Sequence, residues 1–208
     1  MGIFAFRKGI NYNKKTSKRR AMQVEKTDLD GVLVITPDVF ADERGSFMEL
    51  FQEKRYQEVL GLPADEHFVQ DNFSVSKKGT LRGLHYQAPP MAQGKLVSVL
   101  RGRVLDVAVD IRFESPTFGK HVMVELSGEN HKQLWIPKGF AHGFLVLEDD
   151  TFFTYKCTNF YSKEHDRGVL WNDPALEIDW GEATPIISEK DQKHPALVDI
   201  QQEFIFEN

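Results

Sequence analysis

Residues 81–95, LRGLHYQAPPMAQGK, bring Arg82, His85, Tyr86, Gln87 and Lys95 into one short stretch. A neutral imidazole takes up a proton near neutral pH, a phenol can donate one, and lysine or arginine meets developing negative charge. Two later runs, IPKGFAHGF and FFTYKC, add His142 and Tyr155. Side chains alternate along a strand, so His85 shares a face with Gln87, Lys95 with Val97 and Val99, His142 with Phe144 and Val146, and Tyr155 with Phe153 and Cys157. Each set places one polar head among neighbours suited to a strand face. If four such faces converge, they form a pocket with a few placed polar groups. Arg82 falls on the parity opposite His85, and Gly83 is the candidate bulge that re-aims it. Taken singly, a strand histidine or tyrosine is more often structural, whereas a lysine on an apolar face needs a reason.

Pro137, Gly139 and His142 have the P-x-G-x-x-H spacing that resembles a motif of cupins, small jelly-roll barrels that often hold a metal. Such sites need an H-x-H pair from an earlier strand, and here HYQ puts Gln87 in place of the second histidine. The set falls short of the three or four ligands of zinc, iron or manganese centres, so no metal is expected.

The elements that must position these groups read mostly as sheet. VLVIT is a short apolar run, FVQDNFSVS alternates, and RVLDVAVDIR sorts Leu105, Val107, Val109 and Ile111 against Asp106, Ala108, Asp110 and Arg112, the pattern of a half-buried strand. Turn signals recur at Lys78-Gly79, Arg101-Gly102, Ser115-Pro116, Ser127-Gly128 and Pro137 to Gly139. Many short strands with frequent turns predict an all-β fold, an antiparallel sandwich or barrel with a few short helices. FMELFQEKRYQEVLG is the best helical stretch, stopped by Gly61 and Pro63, and SEKDQKHP predicts a helical turn capped by Ser188.

The 208 residues, 41% hydrophobic and 12% aromatic, suffice for one domain with a substantial core. The net charge of −5 conceals an asymmetry, because residues 1–20 carry seven basic residues and no acidic one. Subtracting those seven from −5 leaves −12 on the rest, which argues against wrapping nucleic acid. The division expected is a flexible basic leader, 1–21, and a single domain, 22–208, with Met22 as an alternative start. No apolar run is long enough to span a membrane, and a cytoplasmic location is expected. Cys157 stands alone among aromatic neighbours and is expected to be a buried, unreactive thiol.

Together the segments FADERGSFME, FVQDNFSVS, LRGLHYQ, QGKLVSVLRG, DVAVDIR, SPTFGK, QLWIPKGFAHGF, YKCTNFYS, WNDP and SEKD resemble, in that order, the dTDP-4-dehydrorhamnose 3,5-epimerases, from about Gly31 to Pro195. The resemblance implies a homodimeric, cupin-like jelly roll that uses no metal or organic cofactor. It implies inversion of C3 and C5 of dTDP-4-dehydro-6-deoxy-D-glucose on the route to dTDP-L-rhamnose. On the matched positions His85 is the base, Asp191 holds its imidazole, Tyr155 donates a proton from the opposite face, and Lys95 steadies the enolate charge. Arg44, Arg82 and Lys190 match diphosphate contacts, Phe47, Glu49, Gln70, Asn72 and His142 match other substrate contacts, and Tyr161 matches an aromatic that stacks on thymine. Asp166 stands where these enzymes usually carry glutamate. His131, His165 and His194 match no catalytic position and read as surface residues. Two rival readings stay open: an enzyme inverting C3 alone in another 4-keto-6-deoxy sugar nucleotide, and a non-catalytic sugar-binding jelly roll.

Overall fold

A computed structural model describes residues 22–206, so the expected basic leader lies outside the described residues. Two antiparallel sheets form the body. The six-stranded sheet runs β1 (Gln23–Lys26), β2 (Leu33–Thr36), β10 (Gln133–Ile136), β7 (Lys95–Arg101), β12 (Thr151–Cys157), β5 (Gln70–Ser76). The five-stranded sheet runs β13 (Asp166–Gly168), β6 (Leu81–Gln87), β11 (Phe140–Val146), β8 (Arg103–Asp110), β9 (His121–Ser127). A separate ribbon pairs β3 (Val39–Asp42) with β4 (Gly45–Met48). This is the expected all-β, jelly-roll-like architecture. Its two sheets are hydrogen-bonded separately and face each other across an apolar core instead of closing into one continuous ring.

The parity sets explain why the sheets stack. Val97 and Val99 of β7, Leu134 of β10 and Phe153 of β12 meet Val104 of β8 and Phe144 of β11. Each fully buried side chain of this size contributes about 1.5–3 kcal/mol. The Lys95, His142 and Tyr155 ends of those strands share this inward face, so burial of the apolar residues aims the polar ones.

Strand β8 departs from the half-buried expectation, because both of its faces are covered. Val107 and Val109 pack outward against Trp180, Leu197 and Ile200 of the C-terminal segment. Asp106 and Asp110, on the other parity, are buried inside. Asp110 is satisfied there by Arg112, Ser115 and Thr117, and Asp106 by His142.

The predicted helix also shortens, to α1 (Glu53–Leu60). Its first residues, Phe47 and Met48, belong instead to β4. Gln52 caps the helix by accepting from the Arg55 N–H at 2.7 Å, and Gly61, at φ 65°, closes it in the left-handed conformation that glycine adopts freely. The expected C-terminal turn is a 3-10 turn, Asp191–Lys193, and the Ser188 hydroxyl accepts from the Asp191 N–H at 3.1 Å.

Candidate active site

Strand β6 carries His85, and the 3-10 turn at Asp191–Lys193 brings Asp191 to it from 106 positions away. The His85 Nε2 lies 2.8 Å from Asp191 Oδ1. With Nε2–H donated to the carboxylate, Nδ1 is left as a free acceptor, the tautomer a proton-abstracting base requires. Asp191 Oδ2 accepts from the Gly83 N–H at 3.2 Å, which fixes the carboxylate from a second side. Burial opposes the Asp191 charge, yet the nearby His194 ring nitrogen and the His85 and Gly83 donors hold its carboxyl well below the ordinary carboxylate range. The His85 side chain is 32% exposed, so one edge of the ring is open.

Gly83 acts as the bulge expected of it. The β11–β6 register passes from His142↔His85 to Phe144↔Arg82, so that Gly83 and Leu84 of β6 stand opposite Gly143 alone of β11. A Cβ at Gly83, where φ is 132°, would lie 2.5 Å from the Gly143 Cα, so only glycine permits this approach. The shift turns Arg82 toward the inner side, and its Nη2 donates to Ser76 Oγ on the facing sheet at 3.2 Å.

Lys95 starts β7 on the facing sheet, opposite Cys157 of β12, and its Nζ donates across the gap to the His85 carbonyl at 3.3 Å. Among the described residues no carboxylate lies within ion-pair distance of it. Burial pulls its ammonium below the ordinary lysine value. Burial also depresses His85, outweighing the pull of Asp191, with Lys95 and Lys190 adding to the depression. It raises the Tyr155 phenol and pushes the Cys157 thiol up to about 11, which matches the inert cysteine expected. At neutral pH the inner face thus presents a neutral imidazole and a protonated phenol, beside a buried lysine nitrogen with no carboxylate at ion-pair distance among the described residues.

His142, beside His85 on β11, faces inward and is pinned to Asp106 of β8 at 3.0 and 3.1 Å. Tyr155 lies on β12, in the sheet opposite His85, paired with Asn72 and Val97. At one rim Gln70 donates to Asn72 at 3.0 Å and accepts from the Tyr161 N–H at 2.8 Å. Asp166 gathers the Tyr161 hydroxyl and the Lys190 ammonium, leaving the Tyr161 ring more than half exposed.

A scaffold with these residues in this order matches a family model described as dTDP-4-dehydrorhamnose 3,5-epimerase over residues 26–199. The chain belongs to the dTDP-4-dehydrorhamnose 3,5-epimerase family. It is 56% identical to the enzyme of that name from Shigella flexneri, over 86% of this chain and 97% of the relative. Among solved structures it is similar to the Legionella pneumophila RmlC epimerase in complex with dTDP-4-keto-L-rhamnose, with a TM-score of 0.85, 50% identity, and coverage of 90% and 100% of the two chains. It is also similar, at 33% identity and a TM-score of 0.78, to ChmJ, a 3'-monoepimerase from Streptomyces bikiniensis in complex with dTDP-quinovose, covering 83% of this chain and 86% of that one.

Of the positions matched to the epimerases, His85, Asp191, Lys95, His142, Tyr155, Arg82, Asn72 and Gln70 come to the inner face or its rim, with Tyr161, Asp166 and Lys190 beside them. Arg44, Phe47 and Glu49 do not join them within this chain. Arg44 forks onto Asp42, Glu49 pairs with Arg55 of α1, and Phe47 is 70% exposed on the ribbon. Gln87 is held by backbone, donating to the Met91 and Phe160 carbonyls and accepting from the Ser162 N–H.

Two residues escaped the sequence reading. Asp106 sat on what looked like the solvent parity of β8 and is instead the buried partner of His142. His194, read as a surface residue, has a side chain only 10% exposed, with Nε2 3.6 Å from Asp191 Oδ1. Together His85, Asp191 and His194 place one potential ligand atom each within 4.8 Å of one another, residue types that can hold zinc. The spacing S-E-K-D-x-x-H was the available signal, since i and i+3 share a side of a tight helical turn.

Proposed function

We propose that the protein is a dTDP-4-dehydrorhamnose 3,5-epimerase that inverts C3 and C5 of dTDP-4-dehydro-6-deoxy-D-glucose. The observation that carries the mechanism is His85 on one sheet, held by Asp191 from the 3-10 turn beside it, with Tyr155 on the facing sheet. A hydrogen beside the C4 ketone becomes removable when a base meets it and the enolate oxygen is stabilised. His85 Nδ1 takes the proton from carbon, the C–H pair becomes the C=C bond of the enolate, the carbonyl π pair moves to oxygen, and Lys95 offers that oxygen positive charge. Tyr155 returns a proton to the same carbon from the opposite face, which inverts it. After His85 gives its proton to solvent and Tyr155 regains one from it, a second cycle at the other carbon completes the conversion. Arg82 and Lys190 suit the diphosphate, and the exposed Tyr161 ring suits stacking on the base.

A homodimer is the assembly we favour. Phe40 and Phe47 on the ribbon are exposed, as are Phe73, Val75 and Leu100 on the outer face of the six-stranded sheet, beside a groove of about 510 Å³. Exposed apolar surface on this scale suits a partner. A second copy supplying its ribbon would bring Arg44, Phe47 and Glu49 to the site that lacks them. Among the described residues no helix is long and apolar enough to cross a membrane, and a lone buried thiol suits a reducing, cytoplasmic setting.

The test is incubation with dTDP-4-keto-6-deoxyglucose in EDTA, followed by borohydride reduction and identification of the sugar. L-configured products are expected, at a rate the chelator does not change. Inversion at C3 alone would favour the monoepimerase reading, and binding without any conversion the non-catalytic one.

A further inference from the structure

The buried nitrogen of His194 has no hydrogen-bond partner among the described residues, and it sits beside the carboxylate on which the proposed base depends. A buried polar atom left without a hydrogen bond costs stability, and its retention calls for a reason such as a part in the chemistry beside it. Its seat is specifically made. The His194 ring lies over Gly168, where a Cβ would come 2.4 Å from Nε2, and Gly168 is the β13 residue paired with His85. The two imidazoles meet edge to face, with centroids 5.6 Å apart and planes at 76°. The strand-like His194 that ends the 3-10 turn is followed by Pro195, whose carbonyl accepts from the Leu170 N–H at 2.8 Å, so the backbone holds the ring in place.

We propose that His194 is a positioning residue of the epimerisation site, holding its Nε2–H 3.6 Å from the Asp191 Oδ1 that His85 uses, as a second positive dipole beside that oxygen, and bracing the His85 ring from the side of β13. The inference rests on the reading of His85 as the base. Its nearest acceptor is the Asp191 oxygen that His85 also uses. A second N–H dipole aimed at a carboxylate oxygen lowers that oxygen's pull on an imidazolium bonded to it. His194 therefore keeps His85 from retaining its proton, which favours the neutral form that attacks carbon. The nearby ring also limits tilting of His85 away from the substrate.

Comparison of His194→Phe and His194→Gln with the wild type tests this. Phenylalanine keeps a ring over Gly168 and removes the N–H, while glutamine restores an N–H donor of similar reach. His194→Ala covers the case in which phenylalanine does not fit the slot. The other groups around His85 stay in place: Lys95 from β7, His142 from β11 with Asp106 behind it, Tyr155 and Cys157 from β12, Asp166 from β13, and Lys190 beside Asp191. The readout is the pH profile of kcat/KM. Without the donor, His85 keeps its proton to higher pH, so kcat/KM of His194→Phe should fall roughly three- to tenfold at pH 6 and converge on the wild type above pH 8. His194→Gln should track the wild type. An unmoved acid limb in His194→Phe and His194→Ala, with folding verified by thermal melts, would overturn the proposal, as would an equal shift in His194→Gln. Loss of wild-type activity in EDTA with recovery on adding zinc would overturn it too, by making His194 a metal ligand. A wild type that does not epimerise sinks the functional reading itself, whereas an active wild type beside an unmoved His194→Phe sinks only the role of His194.

Discussion

Two histidine–carboxylate pairs stand on adjacent strands, His85 directly across from His142 in the β6–β11 register. Their hydrogen bonds are similar, 2.8 Å from His85 to Asp191 and 3.0 Å from His142 to Asp106. Their surroundings differ. His142 is 8% exposed and Asp106 is wholly buried, with the imidazole stacked on Phe153. His85 keeps an open edge, its carboxylate comes from a turn outside the sheet, and a second imidazole nitrogen lies 3.6 Å from the same oxygen. One motif thus has two uses. The buried pair fixes the inner wall, and the open pair can exchange a proton with a ligand.

The comparison breaks most sharply at His85. Replacing His85 with Asn should cut kcat/KM by about 10³–10⁴-fold with little change in melting temperature, since general-base loss is large and the site is partly exposed. Asp191→Asn should come next, with a loss of up to about 10⁴-fold in kcat, because an amide N–H facing Nε2 favours the tautomer in which Nδ1 carries the proton and cannot act as base. The other pair should respond in the opposite currency. Asp106→Ala leaves a buried imidazole without its partner and should cost about 3–5 kcal/mol in urea denaturation, a larger stability loss than Asp191→Asn produces. Equal stability losses in the two variants would erase the distinction between the pairs.

The pH profile gives the smallest effect. Because burial holds His85 below the ordinary imidazole value of 6.5, the neutral base persists into mildly acidic solution, and the acid limb of kcat/KM should fall below 6.5. The Lys95 ammonium, depressed from 10.5, should lose its charge early, drawing the alkaline limb below 10.5. An acid limb above 6.5 would contradict the environment described for His85.

Period-two patterning made most of the inner face legible. Lys95, His142 and Tyr155 could be placed on it because valines and phenylalanines share their parity, and burial of the one aims the other. Gly83 was legible as a bulge because no other residue tolerates so close a backbone. Strand β8 misled, since its aspartates looked solvent-facing when a distant C-terminal segment covers the other side. Asp191 was reached only through family resemblance, as nothing local links it to a strand 106 positions earlier. His194 was hidden for a related reason: its neighbour Asp191 and its seat on Gly168 exist only after the chain has closed. The ribbon holding Arg44, Phe47 and Glu49 is legible as sequence but finds no place at the site within one chain.

Proton exchange with solvent tests the central claim most directly. Wild type and His85→Asn are incubated with dTDP-4-keto-6-deoxyglucose in heavy water, and the recovered sugars are read by proton NMR. The wild type should carry deuterium at both C3 and C5, and His85→Asn at neither above the rate without protein. Deuterium appearing in the His85→Asn reaction as fast as in the wild type would place the base elsewhere and leave the open pair without its chemistry.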